Sequence, residues 1–327
     1  MDPAQFLTAP RVTIVAGKGG VGKTTVALTM ALAATKLGLS ALLIEIEGKS
    51  AIAALFDRES IGYEETELSP ADPALGRGRL TARALTPDDA LMEYLREHNM
   101  KRISGRLASS GALDMVATAT PGIRDVLILG KVKQLERSGA ADVIIVDAPA
   151  AGHAISFLRS ASGLLDAVNV GPIETQAREV MDLLSDPERC EVVLVTLPEE
   201  TPVNEMVETA YSLEELVGVK LGPVVVNGCL GDPAPFDTDP ADAAAEVDPH
   251  VSAAELSAAD LVALRMTTTF IGGRAHLQAE QLERLERELP LPQLALPFRF
   301  TADMSLTDIG ALADEWLDQV RLLVEPS

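Results

Sequence analysis

The sequence predicts an α/β fold with a doubly wound, mostly parallel sheet, and three observations carry that prediction. Runs of aliphatic and β-branched residues recur at 12–16, 41–46, 142–147, 192–196, 223–227 and 293–297, without the polar alternation of a half-exposed strand. Helix-like segments separate these runs, which is the βαβ pattern of parallel strands buried on both faces. The first run leads straight into a glycine-rich loop and a helix, Gly17-Lys18-Gly19-Gly20-Val21-Gly22-Lys23-Thr24-Thr25.

That loop is the strongest chemical signal in the chain. Glycines allow backbone angles closed to other residues, so successive N–H groups can turn inward onto phosphate oxygens, and the following helix adds its positive end. The pattern is a P-loop: Lys23 is placed to reach the β- and γ-phosphates, and Thr24 offers a hydroxyl to Mg²⁺. The helix is expected to run to about Leu37 and stop at Gly38.

Residues 85–135 read as helix after helix with no strand, a helical subdomain inserted into the single domain spanning residues 1–327. Thr86, Pro87 and Asp89 form an expected helix start, with Thr86 as cap, and Leu91 and Leu95 fall on one face. Asp147 is expected at the end of the third run, in Asp147-Ala148-Pro149-Ala150-Ala151-Gly152-His153. A carboxylate at the C-terminal end of a parallel strand beside the P-loop strand sits where Mg²⁺ is held. Gly152 would let the backbone approach the γ-phosphate; His153 is a switch residue or a helix cap.

Residues 231–260 are dense in Asp, Pro and Ala and are expected to form an acidic surface excursion with one short helix. The last segment carries an apolar stripe of Leu306, Ile309, Leu312, Ala313, Trp316, Val320 and Leu323. A membrane-seeking helix would be basic on its other face. Here Asp308, Asp314, Glu315 and Asp318 outnumber Arg321, so the helix is expected to pack on the sheet.

Composition narrows the function classes. The chain has 327 residues, 47% hydrophobic but only 3% aromatic, so its core is mostly Ala, Val, Leu and Ile. A formal net charge of -22 argues against nucleic acid and anionic membrane as partners. It does not argue against a nucleotide, because residues 11–44 hold Arg11, Lys18, Lys23 and Lys36 and no Asp or Glu. With a screening length of about 8 Å at physiological salt, this strip governs the loop. Two cysteines, Cys190 and Cys229, form neither a disulfide framework nor a CxxC clip, and no run approaches a membrane span or a signal peptide. The expectation is a cytoplasmic protein with no integral membrane segment.

The second lysine of the loop, Lys18, resembles the signature of the deviant Walker A class of dimeric P-loop ATPases. In that class it acts in trans on the other subunit's nucleotide, like an arginine finger, a device worth about 10³ to 10⁵ in rate in GTPases. Local positive charge in cis is its other possible role. Together with the Asp147 to His153 stretch, Pro121-Gly122-Ile123-Arg124-Asp125 and Val224-Val225-Val226-Asn227, the loop is similar to the arsenite-pump ATPases and tail-anchored-protein targeting ATPases. The likeness covers residues 12 to about 312. Leu197-Pro198-Glu199 followed by Glu205 also resembles the family. The resemblance implies that Asn227, otherwise an ordinary strand-end residue, reads adenine, with Pro297, Phe298 and the segment to Asp303 as the other wall of the base pocket.

This sequence departs from the family in two places. Where hydrolysing members carry Asp-Pro-Ala-His, it has Glu45-Ile46-Glu47-Gly48-Lys49-Ser50, so Glu47 takes the place of the Asp that orients or deprotonates the attacking water. A carboxylate moved by one methylene matters where geometry counts to about 1 Å, so slow hydrolysis or dependence on a partner is expected. The Glu-x-Glu-Gly pattern resembles an actinobacterial branch in which two different subunits are encoded as a pair. The second departure is the missing CxxC of the eukaryotic-type targeting ATPases, so no zinc is expected. Met92, Met100 and Met115 are scattered, as ordinary packing would have them rather than a client groove.

The resemblance therefore implies an ATPase that takes ATP or ADP and Mg²⁺ and works as a homodimer or with a paralogous subunit. Its nucleotide state would be coupled to an unnamed client protein. The fused arsenite pump subunit has two such halves in one chain and this sequence matches one. The alternative is a nucleotide-regulated scaffold or chaperone subunit with little hydrolysis of its own.

Overall fold

A computed structural model describes residues 1–46, 50–97, 122–167, 171–240 and 257–323. One sheet organises them, in the order β3-β4-β2-β5-β1-β6-β8-β9, with β7 paired to β6. The strands are β1 (Val12–Gly17), β2 (Ala41–Ile46), β3 (Thr66–Ser69), β4 (Leu80–Leu85), β5 (Val143–Ala150), β6 (Cys190–Thr196), β7 (Lys220–Leu221), β8 (Val224–Cys229) and β9 (Gln293–Pro297). Every pairing is parallel except β3 with β4. The six expected strands are all present.

The helices are α1 (Pro3–Thr8), α2 (Lys23–Lys36), α3 (Ser50–Leu55), α4 (Pro87–Glu97), α5 (Ile123–Ser138), α6 (Ala151–Ala167), α7 (Pro172–Leu184), α8 (Glu200–Leu216), α9 (Ala258–Glu288) and α10 (Leu306–Leu322). The pleat of β1 shows why its run is apolar throughout. Val12, Ile14 and Ala16 face a core shared with α5, α6, α7 and α8, while Val15 faces a second core shared with α2 and α10. Both faces of the central strands are thus closed to water, as a doubly wound sheet requires.

Two elements are hidden from a reading of the sequence for physical reasons. In β4 a charge interrupts the apolar run, yet Arg83 is buried because its Nε donates to the Tyr63 carbonyl at 2.7 Å and its guanidinium lies 5.2 Å from the Tyr63 ring centre. Helix α9 is 31 residues long, but only Gly272, Ala275, Gln278 and Leu285 are buried, so it has no apolar stripe to reveal it. Its start is written locally: Ser257 Oγ accepts from Asp260 N at 3.2 Å, and the Asp260 carboxylate accepts from Ser257 N at 3.3 Å. Within 231–260 a 3-10 helix spans Ala234–Asp237, and residues 241–256 lie outside the described residues.

Across 85–135, α4 starts as expected, with Asp89 N donating to Thr86 Oγ1 at 3.2 Å. Leu95 is buried and Leu91 half-buried against Ile123 and Leu127. Helix α5, however, is not peripheral: Val126, Ile128, Leu129, Val132 and Leu135 belong to the main core beneath the sheet. Residues 98–121, including Met100, Met115 and Pro121, lie outside the described residues. Helix α10 buries Ile309, Leu312, Ala313, Trp316 and Val320 against α2 and β9. No helix among the described residues is long and apolar enough to cross a membrane.

Candidate nucleotide-binding site

The chain winds outward from β1 in both directions, to β5 and β2 on one side and to β6 and β8 on the other. In such sheets the crevice at the carboxyl ends of the strands around the switch point is the ligand site. The loop of residues 17–22 occupies that crevice. Gly17 pairs with Val195 on β6, and a Cβ at Gly17 would stand 2.3 Å from the Val195 carbonyl oxygen. Gly22 has φ 93°, a left-handed conformation, and a Cβ there would stand 2.2 Å from Asn227 Nδ2. Gly17 has no room for a side chain, and at Gly22 the positive φ and the Asn227 amide both disfavour one, so the two glycines let the loop approach β6 and β8 closely.

Helix α2 begins directly after the loop, at Lys23, and its N-cap Gly22 offers no side chain to the first-turn N–H groups. Those donors and the helix dipole are left to an anion. Lys23 is only 7% exposed, and its ammonium donates to the Lys18 carbonyl at 3.0 Å, which arches the loop around it. Thr24 Oγ1 donates to Asp147 Oδ2 at 2.6 Å. Asp147 is 1% exposed. The loop residues Gly19, Gly20, Val21 and Thr25 complete the cradle, Val21 being buried and Thr25 half-buried.

Lys18 points elsewhere. Its part-exposed ammonium is ion-paired with the Glu205 carboxylate on α8, so the loop's two lysines diverge, one inward and one toward the surface. This partner of Lys18 lies 187 residues away in sequence. Only the pairing of β6 beside β1 brings it there.

Asp147 differs from its expected place at the strand end: β5 continues three residues further, to Ala150, and α6 starts at Ala151 without an intervening loop. A register shift between Val15 and Gly17 pairs Gly17 with Ala150 and absorbs the extension. Gly152 and His153 therefore stand in the first turn of α6. Glu47, Gly48 and Lys49 lie outside the described residues. The structure adds Glu45, which is 1% exposed and opposite Asp147 in the β2–β5 register. Its signal in the sequence is a carboxylate inside an otherwise apolar strand that is buried throughout.

The other half of the crevice is built at the ends of β8 and β9. Asn227 Nδ2 donates to the Val21 carbonyl at 3.0 Å, tying β8 to the loop, a role that sequence alone does not suggest. Pro297 ends β9, and Phe298 N donates to the Cys229 carbonyl at 2.8 Å. The Phe298 and Phe300 rings meet edge to face at 4.9 Å, with Phe298 49% and Phe300 76% exposed. They border a cleft of about 240 Å³ together with Leu197, Leu230, Phe270 and Gln278. Cys190 and Cys229 are buried free thiols, and burial raises both, Cys229 to about 12.

Comparison with known proteins agrees with this geometry. Residues 10–170 match the family model described as anion-transporting ATPase. The chain is 33% identical over 311 residues to ATPase BagA of Mycobacterium tuberculosis, covering 89% of this chain and 88% of that one. It is 26% identical over 248 residues to the arsenical pump-driving ATPase of Escherichia coli, covering 68% of this chain and 40% of that one. The ATPase get3 of Schizosaccharomyces japonicus is 30% identical over 151 residues, covering 46% of this chain and 44% of that one. With the P-loop on the central strand and a relative matched along nearly its whole length, the chain belongs to the anion-transporting ATPase family and is an ATPase.

Proposed function

We propose that the chain binds Mg-ATP at the loop of residues 17–25 and hydrolyses it as one subunit of a dimer, its nucleotide state governing the hold on a partner protein. The observation that carries the reading is the convergence of the Lys23 ammonium, the Thr24 hydroxyl, the Asp147 carboxylate and the N-terminus of α2 in one crevice. Thr24 and Asp147 offer adjacent hard oxygen donors, the set that suits Mg²⁺. When bound, the ion neutralises charge on the phosphates.

Each residue then has a task. Lys23 exchanges its bond to the Lys18 carbonyl for the β- and γ-phosphates. Asp147 fixes the Thr24 side chain through its hydrogen bond, the two residues would together hold Mg²⁺, and Asp147 would sense the γ-phosphate. Glu47, outside the described residues, orients the attacking water. Lys18 neutralises transition-state charge on the nucleotide of the other subunit, which needs a site dry enough for one cation to matter. Asn227 reads the base from the β8 side, and Pro297 and Phe298 close it from the β9 side.

Glu47 in place of the family's Asp supports a second reading, a nucleotide-binding subunit that scarcely turns over until a paralogous chain joins it. In the first reading the helical subdomain of residues 85–135 opens or closes with the nucleotide state and so holds or releases the partner.

Mixing two inactive variants tests the leading proposal. Lys18→Ala is expected to keep nucleotide affinity while lowering kcat by about 10³. Lys23→Ala is expected to lose nucleotide. An equal mixture of the two should recover turnover, because a Lys18→Ala subunit with bound nucleotide receives Lys18 from its Lys23→Ala partner. Wild-type turnover by Lys18→Ala would remove the trans role. If the wild-type chain turns over only when a paralogous chain is added, the second reading replaces the first.

A further inference from the structure

The ion pair between Lys18 and Glu205 joins the loop lysine that does not face the crevice to α8, a helix packed against β6. Glu205 stands in α8, whose Val203, Met206, Ala210 and Leu213 are buried in the main core. Its backbone is further fixed by Thr209 Oγ1, which donates to the Glu205 carbonyl at 2.6 Å. The carboxylate is therefore mounted on a rigid element, whereas Lys18 reaches it along a flexible four-carbon stem.

Among the described residues, Lys18 is the cation paired with Glu205. One carboxylate oxygen takes the Lys18 ammonium; the other, Oε2, is buried and accepts no hydrogen bond. Glu205 lines a small void of about 10 Å³ together with Gly17, Leu194, Val195, Pro202 and Met206. On α9, which packs against α8, Arg274 is engaged by Glu199 and Arg284 by Glu288 and Asn204. The pair is part-exposed at both ends, and pairs of this kind are weak. Weakness suits a contact that has to open.

We propose that Glu205 is a positioning residue for the ATPase reaction: it holds Lys18 in cis in the single chain and releases it only when a second subunit offers the nucleotide phosphates. The inference rests on the trans role given above to Lys18 and adds what sets that lysine's direction. A phosphate group competes for the same ammonium, so the open and closed positions of Lys18 are linked to nucleotide and subunit contact rather than to chance rotation. By linkage, removing the cis partner raises the fraction of subunits ready to donate Lys18.

The test uses the full chain and three variants, Glu205→Gln, Glu205→Asp and Lys18→Ala. The contact itself is read by trace acetylation of lysines, with the Lys18 peptide normalised to the Lys220 peptide by mass spectrometry. Glu205→Gln should raise Lys18 labelling about 3- to 5-fold, the largest change that a part-exposed pair allows. It should lower the protein concentration giving half-maximal turnover by a similar factor, with nucleotide affinity unchanged, and Glu205→Asp should restore most of the wild-type behaviour. Unchanged Lys18 labelling in Glu205→Gln would overturn the contact. Raised labelling with an unchanged concentration dependence would overturn the positioning role. Wild-type turnover by Lys18→Ala would instead overturn the trans reading beneath it, and the labelling result would still report on the ion pair.

Discussion

On the proposed reading the crevice has a phosphate half, at the loop of residues 17–25, and a base half, at the ends of β8 and β9, and the two are built in opposite ways. At the loop, Lys23 and Asp147 are buried, the cradle is backbone, and each side chain is already held by a neighbour. At the ends of β8 and β9, Phe298 and Phe300 stand exposed, and the cleft they border is open. The difference reflects charge. Desolvating an ammonium or a carboxylate is costly unless partners are fixed in advance, whereas an aromatic wall is stabilised simply by whatever covers it.

Three substitutions would break or sharpen the contrast. The largest effect is expected at Lys23, where the buried ammonium has no substitute: Lys23→Ala should lower kcat/KM for ATP about 10²- to 10³-fold. Steady-state kinetics would check this, and a loss smaller than tenfold would mean that the phosphate half is not preorganised around this residue. Next comes Gly22→Ala, which forces a Cβ against Asn227 and holds a non-glycine residue at positive φ. Strain of about 1 to 2 kcal/mol per such residue predicts a drop of about tenfold in nucleotide affinity and a lower Tm, measured by calorimetry and thermal unfolding. Full wild-type affinity would show that the loop can relax away from β8.

The smallest effect is expected in the base half. Phe298→Ala removes an exposed ring, so the Tm should hold, while KM for ATP rises about 5-fold with kcat unchanged, in line with the lower end of base-stacking energies. Discrimination between ATP and an abasic triphosphate should fall by the same factor. If KM for both rises equally, Phe298 acts on the phosphates or on the fold, and the division into halves fails.

Much of the phosphate half is legible in the amino-acid sequence because its information is local. Gly17 to Thr25 encode strand end, turn and helix start within nine consecutive residues, and the buried strands announce themselves by uninterrupted apolar runs. Where a charge enters a strand, as Arg83 does in β4, the apolar run is broken although Tyr63 shelters the guanidinium in space. Helix α9 is hidden for the converse reason: it is exposed along most of its length, so burial imposes no period on its residues.

By itself the sequence determined the sheet-building runs, the glycine-rich loop and the identity of its two lysines. These follow from backbone sterics and short-range periodicity, which neighbouring residues settle among themselves. The tertiary structure alone decided the partners: Val195 and Asn227 against the loop glycines, Glu45 beside Asp147, and Glu205 on Lys18. Each of those contacts joins residues that are distant in the chain. They meet only because the order of strands in the sheet, a global consequence of packing two apolar faces, sets β2, β5, β1, β6 and β8 side by side.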